Sequence, residues 1–238
     1  FFAIPGAAED GHAFAPQAVE NGALLVVAQR ELNLPADISQ IIVEDSRRAL
    51  AGLAAAWYGH PDRGLRLIGV TGTNGKTTTT HLIKYLLGRG GSRTGLVGTV
   101  ANLAGDKVLP ATHTTPESLE LFRLLRLMRD EGCGHAVIEA SSHALAQGRV
   151  SACNFVGAVF TNLTQDHLDY HGTLEEYGRS KARLFAMLQA GDASSYGVIN
   201  ADDKAAAIFA EACAAPKTRR GAVASIARAA RTALPVMI

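Results

Sequence analysis

The chain has few cysteines, almost no net charge and no long apolar run, and each shortage removes a class of function. Cys133, Cys153 and Cys213 are only three in 238 residues. They are odd in number, widely spaced and set among apolar or alanine-rich neighbours, which fits reduced, buried thiols rather than a disulfide or zinc framework and points to the cytoplasm. A formal net charge of +1 without long basic runs argues against nucleic acid as the main partner. The short cluster Lys217, Arg219 and Arg220 reads as a solvated segment. No stretch approaches the roughly 20 apolar residues needed to span a bilayer, so no membrane partner is expected. Phe1-Phe2-Ala3-Ile4-Pro5 is too short for a signal sequence. The chain also lacks an initiator methionine and opens within what reads as a strand, which leads to the expectation of a fragment whose start lies upstream.

What is present is an ordinary globular composition, 47% hydrophobic and 19% charged, enough to bury a large core. Residues 1–58 read as a small, partial α/β unit: a helix near Pro16 to Asn21, strands Ala23 to Ala28 and Gln40 to Val43, and a helix from Arg47 to Trp57 with Asp45 or Ser46 as N-cap. Residues 59–64 form a plausible linker. From Leu65 apolar strands alternate with amphipathic helices: strands 65–70, 94–100, 135–140, 155–162 and 196–200, and helices 76–88, 116–130, 174–188 and 203–213. The expected fold class is α/β, with a mostly parallel sheet covered by helices on both faces over residues 65–215. Residues 216–238 read as an irregular tail. Ligands of such sheets lie beyond the carboxyl ends of the strands, after residues 70, 115, 139 and 162.

The segment Thr71-Gly72-Thr73-Asn74-Gly75-Lys76-Thr77-Thr78 follows the apolar run 65–70 and reads as a phosphate-binding loop entering a helix. Glycines let successive N–H groups face phosphate oxygens, Lys76 would reach terminal phosphates, and Thr77 would offer a hydroxyl to magnesium. Gly72 stands only three residues before Gly75, so this is a shortened form of G-x-x-x-x-G-K-[ST]. Glu139 emerges at the end of an apolar strand on the same side, where a magnesium ion needs a carboxylate. After the strand ending near Leu163, His167 and His171 stand at i, i+4 beside Asp166 and Asp169. Alone these could suggest a zinc hydrolase or a capped polar turn, although a nucleotide site already demands a metal. Lys181 falls on the apolar arc formed by Leu174, Tyr177, Leu184, Phe185 and Leu188. A lysine there must snorkel, pair or be chemically altered. Thr115 and Pro116 read as N-cap and first residue of the helix 116–130, while Thr114 and His113 face the ligand side.

Together, Thr71 to Thr78, Thr114-Thr115-Pro116, Glu139-Ala-Ser141-Ser142-His143 with Arg149-Val150, and Thr161 to Gly172 followed by Glu176-Tyr177 and Lys181 resemble the Mur ligase family of peptidoglycan synthesis, in the branch that adds the third stem-peptide residue. The resemblance implies a P-loop-type central domain preceded by a UDP-sugar-binding domain, with Gly6 to Gly11 near the uracil. It implies that Gly72, Thr73, Asn74, Gly75, Lys76, Thr77 and Thr78 bind ATP, that Thr77 and Glu139 hold one Mg2+, and that His167 and a carbamylated Lys181 belong to a second. Lys76, Glu139, His167 and Lys181 would be the catalytic set. Thr114, Thr115, Ser141, Gln147 and Arg149 would bind the nucleotide-sugar peptide, Arg149 by pairing with its anionic groups. The implied reaction is ATP-dependent amide formation between UDP-N-acetylmuramoyl-L-alanyl-D-glutamate and a diamino acid, meso-diaminopimelate before lysine, through an acyl phosphate, by a cytoplasmic monomer. The family's third domain, with its Asp-Asn-Pro-Arg type motif, does not appear in these residues. The chain by itself is therefore expected to have little or no ligase activity. Two alternatives are a related ligase that extends folate or polymerises amino acids, and a non-catalytic nucleotide-binding remnant.

Overall fold

The computed structural model describes residues 1–6, 9–166, 168–188 and 194–214; the tail 216–238 and its basic cluster lie outside them. In the first unit, β1 (Leu25–Ala28) and β2 (Ser39–Ile42) pair in parallel, and Phe2 bridges to Val27. Ala3, Ala15, Val26, Ala28 and Ile38 close a small core beneath α1 (Ala15–Glu20). Asp45 is the cap of α2 (Ser46–Trp57), accepting the N–H groups of Arg47 and Arg48 at 2.9 and 3.1 Å. Ser46 instead donates its buried hydroxyl to the Ala3 carbonyl at 2.7 Å. The inner face of α2 packs on the next unit, where Ala54 and Ala55 join the main core. Gly59 and His60, both left-handed, and then Pro61 end the helix. Pro61 and Asp62 are themselves buried.

The second unit is built on a seven-stranded sheet in the order β6-β5-β4-β7-β3-β8-β9. Its strands are β3 (Arg66–Thr71), β4 (Thr94–Val97), β5 (Asn102–Ala104), β6 (Lys107–Leu109), β7 (His135–Glu139), β8 (Phe155–Phe160) and β9 (Tyr196–Ile199). β4, β7, β3, β8 and β9 run parallel. β5 and β6 form an antiparallel hairpin across Gly105-Asp106. The expected strand 94–100 therefore stops at Val97: a Cβ at Gly98 would lie 2.3 Å from Glu139 Oε1, and the chain turns there into the hairpin.

Side chains along β3 alternate between two packed faces. Ile68 and Val70 meet Ile83 and Leu87 of α3 (Lys76–Arg89), with Val137 and Val159. Leu67 faces the larger core shared by α2, α4 (Ser118–Asp130), α7 (Leu174–Ala186) and α8 (Ala206–Ala212), which includes Phe122, Leu125, Phe155, Leu184, Phe185 and Phe209. Gly69 lies on that side too, where an added Cβ would meet Leu184 Cδ1 at 2.6 Å; the missing side chain lets α7 lie close to the sheet. Two short helices, α5 (Ser142–Ala146) and α6 (Leu168–His171), follow β7 and β8. Helix α4 begins at Ser118, two residues later than expected, with Glu117 as its N-cap, because the Thr115 hydroxyl is held elsewhere. Among the described residues, no helix is long and apolar enough to cross a membrane.

Candidate functional site

Parallel strands bring the ends of β3, β7 and β8 to one edge, with the segment after β4 beside them. The loop after β3 is strapped to the loop after β8. Thr73 N–H donates to Asn162 O at 2.8 Å, Asn74 N–H donates to Asn162 Oδ1 at 3.0 Å, and Asn162 Nδ2 donates back to Asn74 O at 3.0 Å. Thr161 Oγ1 donates to Asn74 O at 2.7 Å, and Thr73 Oγ1 exchanges bonds with Thr164 O and N at 3.1 and 3.0 Å. Gly72 and Gly75 take φ of +145° and +84°, and a Cβ on Gly72 would lie 1.9 Å from Thr161 Oγ1. Only glycine fits the first of these positions. Thr78 lies exposed on α3.

Lys76 Nζ donates to Gly72 O and Thr73 O at 2.9 and 2.8 Å, and burial lowers its pKa against the opposing charges of Glu139 and Asp166. The next residue, Thr77, donates from Oγ1 to Glu139 Oε2 at 2.9 Å. Glu139 is fully buried and also accepts Thr99 N–H and Oγ1, each at 3.1 Å. A hydroxyl and a carboxylate thus meet at the first turn of α3, both hard oxygen donors of the kind magnesium selects.

Lys181 is 1% exposed, on the buried face of α7. Its Nζ donates to Gly72 O at 2.9 Å, the carbonyl that Lys76 also uses, and lies 4.3 Å from the centroid of the Tyr177 ring. Burial, then repulsion from Lys76, pulls its pKa down to about 7 against the attraction of Asp166. A large share of the amine is therefore neutral near pH 7, the form that reacts with carbon dioxide. Leu174, expected on the same buried arc, is 44% exposed at the start of α7. His167 lies outside the described residues. His171 is 7% exposed and packs against the rings of His143, Tyr170 and Tyr177, at 5.5, 4.8 and 5.1 Å between centroids. Among the described residues, no group of three or more His, Cys, Asp or Glu side chains could hold a metal.

The five residues expected to bind substrate fall into two kinds. Thr115 is buried, donating to Glu139 O at 2.6 Å and accepting Ser141 N–H at 3.0 Å, so its hydroxyl joins strand ends rather than capping α4. Ser141 caps α5 by accepting Ala144 N–H at 3.2 Å. Thr114 Oγ1 lies 3.0 Å from Thr99 Oγ1, close to Glu139. Arg149 donates from Nε and Nη2 to Gln147 Oε1 at 3.0 and 2.7 Å and from Nη1 to Thr115 O at 2.9 Å. Gln147 thus orients the guanidinium. Sequence reading misses Thr99, Asn162 and Tyr177 as members of this site. Asn162 carries the one usable signal, an amide side chain just past the end of a buried strand, within a motif already singled out.

Residues 70–233 match the Mur ligase middle domain, and residues 1–58 match the catalytic domain of the Mur ligase family. Over 221 residues the chain is 51% identical to the UDP-N-acetylmuramoyl-L-alanyl-D-glutamate--2,6-diaminopimelate ligase of Geobacillus thermodenitrificans, covering 91% of this chain and 44% of that protein. Over 230 residues it is 46% identical to the same-named ligase of Geobacter sulfurreducens, covering 95% and 45%. A solved UDP-N-acetylmuramoyl-L-alanyl-D-glutamate--2,6-diaminopimelate ligase superposes with a TM-score of 0.75 at 37% identity, covering 89% of this chain and 42% of that one. MurF from Acinetobacter baumannii shares the fold, with a TM-score of 0.58 at 24% identity over 89% of this chain and 42% of its own. The chain thus spans less than half the length of the relatives it matches. With a strapped glycine-rich loop, a hydroxyl–carboxylate pair at its helix and a middle-domain match over most of its length, the chain belongs to the Mur ligase family.

Proposed function

We propose that this chain supplies the nucleotide-binding and muropeptide-binding part of an ATP-dependent ligase that joins meso-diaminopimelate to the D-glutamate γ-carboxylate of UDP-N-acetylmuramoyl-L-alanyl-D-glutamate. The observation that carries the reading is the meeting of Thr77 and Glu139 at 2.9 Å beside a loop on which two lysines share one carbonyl. The names of relatives 46–51% identical to the chain favour diaminopimelate over lysine.

A carboxylate is a poor acylating agent, so phosphoryl transfer from ATP to the substrate carboxylate precedes attack by the incoming amine. Release of Lys76 from Gly72 O and Thr73 O lets it neutralise terminal phosphates, while the loop amides and the N-terminus of α3 receive the remaining charge. Thr77 and Glu139 would hold one Mg2+, which when bound supplies charge neutralisation at the transferring phosphoryl group. Thr99 steadies both oxygens of Glu139 with two hydrogen bonds. Lys181 would add carbon dioxide through its neutral amine and release a proton, exchanging a misplaced cation for a carboxylate-like group, and that group together with His167 would be the donors for a second Mg2+. Arg149 pairs with anionic groups of the nucleotide peptide and Thr114 lines its path, while Thr115 and Ser141 hold β7 and α5 in register for them.

Separate titrations with a non-hydrolysable ATP analogue and with the UDP-muramoyl dipeptide test this reading. Lys76→Ala is expected to weaken the analogue at least about tenfold, the loss of a charge-assisted contact, and to leave the dipeptide nucleotide nearly unaffected. Unchanged analogue affinity in Lys76→Ala would overturn the phosphate-loop assignment. Failure of the unaltered chain to bind the UDP-muramoyl dipeptide would overturn the substrate.

A further inference from the structure

At the start of α4 stands a carboxylate that the reaction above does not use. Glu117 is the N-cap residue of α4 but makes no capping hydrogen bond. Its side chain turns instead to two arginines: Arg47 Nη1 lies 3.4 Å from both of its oxygens, and Arg149 Nε lies 3.1 Å from Oε1. The arginine side chains are 22% and 16% exposed and that of Glu117 is 46% exposed. A helix N-terminus favours an acid. That preference does not explain why the carboxylate leaves the helix amides for the arginines.

Arg149 does not depend on Glu117 for its orientation. Gln147 and the Thr115 carbonyl already engage three of its five N–H groups, leaving one on each terminal nitrogen. Glu117 therefore adds mainly negative charge, next to a guanidinium that is to receive an anion. We propose that Glu117 is a counter-ion for Arg149 that sets an affinity threshold: it offsets one of the two positive charges of Arg47 and Arg149 in the ligand-free protein, so that an anion is retained only when it brings further contacts. A small carboxylate meets the full competition of Glu117 and leaves, whereas the nucleotide peptide offsets it through its sugar and nucleotide. The inference rests on the reading of Arg149 as the contact for the substrate's anionic groups.

Calorimetric titration of the 238-residue chain with the UDP-muramoyl dipeptide, and with glutarate as a small dicarboxylate, tests it. Glu117→Gln keeps the shape of the side chain and removes its charge. It is expected to bind both anions about three- to tenfold tighter, the size of one half-exposed charge a few ångströms away. The gain shrinks as salt is raised, disappears when Arg149→Ala is added, and is absent for the ATP analogue. Glu117→Ser removes the same charge while restoring a capping side chain, and is expected to repeat the gain with no loss of melting temperature. Equal or weaker anion binding in both variants overturns the counter-ion role, as does an undiminished gain in the Arg149→Ala background. Arg149→Ala alone separates the two levels. If it weakens the dipeptide nucleotide while Glu117→Gln changes nothing, only the counter-ion fails; if it costs no affinity, the reading of Arg149 fails and the inference with it.

Discussion

Lys181 shows how a residue can be conspicuous in sequence before its chemistry is visible. Its place among Tyr177, Leu184 and Phe185 follows from helical periodicity alone, and it is indeed 1% exposed. What periodicity cannot supply is the second lysine, Lys76, which is far from Lys181 in the chain yet uses the same Gly72 carbonyl. The amine is pulled from 10.5 to about 7, so between those values the unfolded chain binds more protons at this position than the folded one. The penalty for burying it is therefore full below pH 7 and is relieved as pH rises toward 10. In carbonate-free buffer, the urea midpoint of the unaltered chain is expected to gain on that of Lys181→Met over this window; parallel curves would refute the depressed amine. In bicarbonate, intact-mass measurement is expected to find the 44-dalton carbamate adduct only in the chain that keeps Lys181. Gly72 is as exacting in a steric sense. Gly72→Ala forces a Cβ against Thr161 Oγ1 and is expected to cost about 2–4 kcal/mol in denaturant unfolding along with nucleotide affinity.

At the scale of elements, long periodic segments are legible and their ends are not. The helices 76–89 and 174–186 and the parallel strands lie within a few residues of expectation, because a buried stripe or an apolar run records them directly. The hairpin of β5 and β6 escapes notice, being three residues per strand. The start of α4 is misread for a different reason. Thr115-Pro116 has the composition of a cap, but the Thr115 hydroxyl finds the Glu139 carbonyl at 2.6 Å, a partner that no local pattern reveals. The strap between the loops after β3 and β8 is likewise tertiary. Asn162→Ala removes both side-chain bonds to Asn74. Hydrogen exchange at the Asn74 amide is expected to rise at least about tenfold, with nucleotide affinity several-fold weaker. An unchanged exchange rate would mean that the loop holds its shape without the strap.

In the whole molecule, α2 is tied to both units, by a hydrogen bond to the first and by packing to the second. Ser46 ties it to Ala3, while Ala54 and Ala55 pack in the main core. A chain begun at residue 45 is therefore expected to melt at least about 5 °C above one begun at residue 59, since only the first keeps the α4-facing side covered; equal melting temperatures would show that α2 is an independent appendage. The alternation of strands and helices, the shortened glycine-rich loop, and Glu139 and Lys181 at strand end and buried stripe are legible along the chain, because each is written in spacing over a few residues. Folding alone brings Thr77 to Glu139, Lys181 to the carbonyl that Lys76 uses, Asn162 to the loop and Glu117 between two arginines. Those pairs lie from 32 to more than 100 residues apart; the parallel register of β7, β3 and β8 aligns the strand ends behind the first three, and the packing of α2 on α4 brings Arg47 to Glu117, neither of which a local pattern encodes.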